Sequence, residues 1–195
     1  MKKTSTALQN EVIERIKNHP LMNFGGHHEN VVTRLHLVSP ELHNEVAWLF
    51  EPFPYLGLFQ RPPGTHLRDS MNGWQLSSAN FDSSIGDVFM GGAPAGDSGD
   101  YMWNYVYLGT SLADGGVGIC NAPENFGKIA FCTVNANSER GDIPIVANSF
   151  TEWVARTLDL GPDSRERYWE LPDFIDLGPA IPGDPYYRPI GRLAQ

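Results

Sequence analysis

The chain has 195 residues, of which 41% are apolar and 19% charged, a balance that suits a globular domain and excludes a disordered chain. Its formal net charge of −9 argues against binding nucleic acid or an anionic membrane, because phosphate contacts need a basic patch. No apolar run approaches the roughly 20 residues of a membrane-spanning helix.

Lys2 and Lys3 open like a signal peptide, but Gln9, Asn10 and Glu11 interrupt any apolar core, so the expected compartment is the cytoplasm. Thr4 or Ser5 can cap a first helix with Leu8, Val12, Ile13 and Ile16 on one face. His19-Pro20 ends it, because the residue before a proline is pushed out of the α region. Residues 31–37 alternate like a strand. A second helix starts with Ser39 as N-cap, Pro40 in the first turn and Glu41 behind it, carries Leu42, Val46, Leu49 and Phe50 as its apolar stripe, and stops at Pro52.

Residues 55–59 and 74–76 read as short strands separated by the turn-forming Arg61-Pro-Pro-Gly64. The Gly- and Pro-rich stretch 91–100 reads as a loop feeding an aromatic strand at 101–108. A turn is expected at Gly115-Gly116, followed by strands at 117–120 and 128–134. A final helix opens with the capping box Ser149/Glu152, buries Phe150, Trp153, Val154 and Leu158, and ends at a left-handed Gly161 before Pro162. The division expected is one domain over 1–161 and an extended tail over 162–195. Phe174, Ile175, Tyr186 and Tyr187 give that tail the means to pack on the domain.

Cys120 and Cys132 are the only cysteines. In a hairpin centred on Glu124, Cys120 faces Lys128 and Cys132 faces Gly116. The sulfurs then stand on the order of 13 Å apart at strand rise, too far for a disulfide, which needs Cα atoms within roughly 7 Å. Reduced, buried thiols are the reading, and they are too few for a structural zinc site.

Several constellations suggest chemistry and fail on spacing. His27-His28-Glu29 places adjacent residues on different faces, so a polar loop after Gly25-Gly26 is the plainer account. His36 and His43 flank the strand-to-helix turn as surface histidines. Gly96-Asp97-Ser98-Gly99 matches a serine-protease tetrapeptide without the surrounding frame of a nucleophile elbow. Asp97 and Asp100 lack the EF-hand spacing, and the glycines of 91–99 lack the Gly-Lys-Ser/Thr of a phosphate loop. Trp103, Tyr105 and Tyr107 share one strand face, which reads as core or cross-strand packing before it reads as a binding platform.

The segment from Gly99 to Leu160 resembles the SUKH superfamily, the fungal cell-wall-assembly-regulator-like group that includes bacterial immunity proteins. The likeness rests on the Gly/Asp-rich loop Gly96–Asp100, the strand ending Tyr-Val-Tyr-Leu108, a hairpin, and Ile145-Val-Ala-Asn-Ser-Phe-Thr-Glu-Trp-Val. Ser39-Pro40-Glu41-Leu42 and 55–59 correspond to the family's first half. Glu51-Pro-Phe-Pro54 stands where the family pattern has Asn-Gly, and the proline-rich tail is additional.

The resemblance implies an α+β fold: a mostly antiparallel sheet with N-terminal helices and a C-terminal amphipathic helix packed on it. It also implies a non-enzymatic protein-binding module that neutralises a cognate bacterial toxin, basic and often a nuclease, by covering its active site. The expected contact residues are Asp82, Asp87, Asp97, Asp100 and Asp114, on loops that would line one edge of the sheet, with no catalytic residue, metal or cofactor. The rival readings are a regulatory scaffold of the same fold binding an endogenous partner, and a hydrolase using His27, His28 or His66.

Overall fold

A six-stranded antiparallel meander, with every strand paired to its neighbours in sequence, organises the protein in the computed structural model. The structure describes residues 6–24, 39–59, 73–86, 104–111, 115–133, 143–161, 175–184, 187 and 189. The strands are β1 Tyr55–Leu58, β2 Trp74–Ser77, β3 Tyr105–Ser111, β4 Gly115–Cys120, β5 Ile129–Thr133 and β6 Ile145–Ala147. Helices α1 Thr6–Asn18, α2 Pro40–Phe50 and α3 Phe150–Leu160 complete the described elements and make the fold α+β. No described helix is long and apolar enough to cross a membrane.

The helices lie on one face of the sheet. Val12 and Ile16 of α1, Leu42, Val46, Leu49 and Phe50 of α2, and Phe150, Trp153, Val154 and Leu158 of α3 share one core with Leu56, Leu58, Trp74, Leu76, Leu108, Val117, Ile119, Ile129 and Phe131. Rings hold its centre: Phe50 stacks on Phe150 at 5.6 Å, and Trp74 meets Trp153 edge-on at 5.0 Å. The opposite face is also covered. Ile85, Tyr105, Tyr107, Cys120, Ala130, Cys132, Ile143, Ile145 and Ala180 form a second buried cluster. The Tyr105/Tyr107 face is thus core packing, as its alternation suggests; Trp103 and the 31–37 strand lie outside the described residues.

The helix starts follow the local signals. Ser39 Oγ accepts from Leu42 N at 3.2 Å, and Ser149 Oγ accepts from Glu152 N at 3.2 Å. Corrections arise at both ends of α3. Glu152 Oε2 accepts from the N–H of Asn148 rather than from that of the cap residue Ser149, so the box is displaced by one residue. Gly161 has φ 68 and ψ −176, a positive-φ conformation with extended ψ rather than a left-handed helical one. Pro162 explains the difference, because a following proline drives ψ to extended values.

The expected Gly115-Gly116 turn is corrected as well. Both glycines are strand residues of β4, Gly115 paired with Thr133 and Gly116 with Cys132 and Thr110. β3 ends at Ser111 and β4 begins at Gly115. Ladder partners on both sides override the turn preference of the Gly-Gly dipeptide. The hairpin register has the predicted form: Cys132 faces Gly116, and Cys120 N donates to Lys128 O at 2.9 Å.

Both outer strands are covered. At β1, Asn23 and Gly57 exchange backbone hydrogen bonds at 2.9 and 2.8 Å. At β6, Ile145 N donates to Gly178 O at 2.8 Å, Leu177 N to Ile145 O at 2.8 Å and Ala180 N to Ile143 O at 2.9 Å. The proline-rich segment therefore pairs with the sheet here as a short added strand.

Candidate interaction surface

The seam between α2 and the β4–β5 turn brings carboxylates of α2 beside a polar turn. Ser39 Oγ, besides capping α2, donates to Asn121 Oδ1 at 3.1 Å and ties the helix start to that turn. The turn contains the 3₁₀ piece Pro123–Asn125 and then Gly127 at φ +75, a value that glycine adopts without cost. A Cβ placed on Gly127 would lie 3.9 Å from Glu45 Cγ and Cδ, so the Glu45 side chain lies along the turn. Phe126, one residue before, leaves 38% of its surface exposed.

Glu41, Glu45 and Trp48 stand at i, i+4 and i+7 and so follow one stripe of α2. Trp48 Nε1 donates to Glu45 O at 3.0 Å, which fixes the indole against the helix. Partial burial of Glu45 raises the pKa of its carboxyl above the ordinary value. The helix contains no Lys or Arg. Glu41 and Glu45 repel as an i, i+4 pair, and Glu51 occupies the C-cap, where the helix dipole disfavours an anion.

Among the described residues these carboxylates make no ion pair, whereas each lysine and arginine has an internal partner. Arg15 pairs with Asp159 at 2.8 Å, Lys17 with Glu14 at 2.9 Å and Arg156 with Glu152 at 2.9 Å. Lys128 Nζ donates to Asn125 Oδ1 at 2.9 Å. The described surface therefore presents uncompensated negative charge beside exposed aromatic carbon.

Of the residues expected from sequence, Asp82 is exposed and accepts from Ser83 Oγ at 3.3 Å. It follows the 3₁₀ turn Ser78–Asn80 and precedes Ser84, which bridges to Val106 of β3. Asp87, Asp97, Asp100 and Asp114 lie outside the described residues, as do His27, His28, His36 and His66. Glu45 and Phe126 were not legible as surface features; the one sequence signal was an α2 with like charges at i, i+4 and no base to balance them.

The thiols are unsuited to nucleophilic chemistry. Neither forms a disulfide, both are buried, and burial pushes the Cys132 thiol up to about 12. Cys120 Sγ accepts from Ala122 N at 3.4 Å. His19 serves the backbone: its Nδ1 accepts from Leu21 N at 3.1 Å, and its ring meets Phe59 edge-on. No group of His, Cys, Asp and Glu among the described residues is placed to hold a metal ion.

No protein-family model matches the chain, and no curated protein or solved structure matches it.

Proposed function

We propose that the protein is a non-enzymatic binding module for a basic protein partner. In the form that the SUKH-like sequence pattern implies, it is an immunity protein that acts in the cytoplasm and occludes the active site of a cognate toxin. The observation that carries this reading is the charge arrangement among the described residues: Arg15, Lys17 and Arg156 are held in internal ion pairs, while Glu41, Glu45 and Glu51 make no ion pair with a described residue. Such a surface speeds the approach of a basic partner and discriminates against acidic ones. Phe126 and Trp48 supply the apolar contact that electrostatic steering alone lacks. Asp82, Asp87, Asp97, Asp100 and Asp114 extend the acidic character and belong to the proposed partner surface.

The test is capture of partners from the native host's lysate at low and high salt, followed by co-expression with the captured protein. A single stoichiometric basic protein, eluted by salt and harmless when co-expressed, supports the reading. Recovery of nothing at low salt, or of partners indifferent to salt, defeats it.

A further inference from the structure

We propose that residues 177–181 form a detachable seventh strand, a strap that opens as a unit while β1–β6 stay folded and so controls access to the edge of β6. The inference is independent of the identity of any partner. The strap is bound mainly through its backbone: Leu177 N and Ala180 N donate to Ile145 O and Ile143 O, and Gly178 O accepts from Ile145 N. Tyr105 Oη and Asn125 Nδ2 both donate to Ala180 O, at 2.8 and 3.1 Å.

The segment's own side chains contribute little burial. Ala180 is fully buried and Ile181 partly so, but Leu177 remains 44% exposed, as does Ile175 just before it at 39%. Gly178 and Gly183 hold φ 108 and φ 70, values open to glycine without strain, but fixing a glycine costs more backbone entropy than fixing any other residue, which favours release of the segment. Little buried side chain and much backbone bonding at a sheet rim are the marks of an element that opens at low free energy.

A clasp sets the closed form. Asp176 Oδ1 accepts from Gly178 N at 2.9 Å and from the hydroxyl of Tyr187, folding the strap back on itself. Pro179 offers no N–H to a further strand, so the closed strap terminates the sheet. The open form instead bares the Ile143 and Ile145 carbonyls and the Ile145 N–H, the groups with which β6 would pair an incoming strand.

Native-state amide exchange on the full chain tests this directly. The Leu177, Ala180 and Ile145 amides should exchange faster than those of β4 and β5, by an opening with little dependence on denaturant. Tyr187→Phe, which removes one hydrogen bond of the clasp, should speed exchange at these amides about two- to tenfold, and Asp176→Ala, which removes both, should speed it further; each should leave β4 and β5 unchanged. Exchange of the strap amides only with global unfolding, at the rates and denaturant slopes of β4 and β5, overturns the proposal. So does a clasp variant that shifts all amides alike.

Discussion

The Tyr105 hydroxyl donates to the carbonyl of Ala180 at 2.8 Å, joining an inner strand to a proline-rich segment 75 positions away. Asn125 Nδ2 donates to the same carbonyl at 3.1 Å, so one backbone oxygen collects side chains from β3 and from the β4–β5 turn. Tyr105 is fully buried, and a hydroxyl there must find a partner. Tyr105→Phe should cost about 1 kcal/mol, because Asn125 continues to satisfy the carbonyl. Combining it with Asn125→Ala should cost more than the sum of the single changes, since the carbonyl then loses both side-chain donors. Urea denaturation of the single and double variants measures both effects; strict additivity would show that the bonds act independently.

Gly109 is required by close packing rather than by backbone angle. A Cβ there would fall 2.1 Å from Gln75 O and 2.8 Å from Leu76 Cδ2, at the point where β3 bulges and pairs with β2. Backbone cannot yield as a flexible side chain can. Gly109→Ala should therefore destabilise by about 3 kcal/mol, the upper part of the range for overpacking. A thermal midpoint unchanged from the parent would refute the β2–β3 register.

Glu45 joins stability to the proposed binding role. Burial holds its folded pKa above the unfolded value, so its contribution to stability is present below the unfolded pKa and lost as pH rises through the raised folded one. At neutral pH the carboxylate therefore disfavours the folded state. Glu45→Gln should raise the denaturation midpoint at pH 7, with the gain vanishing in acid, and should slow association with a basic partner. A variant less stable at pH 7 than the parent would contradict the account of Glu45.

Cys132 gives an alkaline signature. Its thiol, pushed from 9.0 up to about 12 by burial, keeps its proton in the folded state after the unfolded chain has lost its own. The stability it contributes is intact below pH 9.0 and falls as pH climbs toward about 12. Between those limits the parent should lose about 1.4 kcal/mol per pH unit more than Cys132→Ala, whatever the cavity in the variant costs at neutral pH. Equal slopes for the two proteins would place the thiol in contact with water.

Much of the architecture was legible because its signals are local. Ser39-Pro40 and Ser149 cap their helices through bonds closed within a turn, and the stripes Leu42/Val46/Leu49/Phe50 and Phe150/Trp153/Val154/Leu158 each fall on one helical face. The turn between Cys120 and Lys128 sets its own register, which places Cys132 opposite Gly116. The candidate surface was only partly legible. Asp82 was visible as an acidic loop residue, but the closeness of Glu45 to Gly127 depends on the docking of α2 beside the β4–β5 turn.

The three helices, the Ser39 and Ser149 hydroxyl caps and the pairing of the β4–β5 hairpin could be read from the chain alone, because each is encoded by residues within a few positions of one another. Only the tertiary structure decided that Gly115 and Gly116 are ladder residues, that Ile85 and Ala180 seal the second face, and that the proline-rich segment pairs with β6. Those outcomes depend on backbone groups and buried area meeting across long separations. A segment such as Leu177–Ala180, with a glycine and a proline between its ends and no apolar period, advertises none of them until the β6 edge stands beside it.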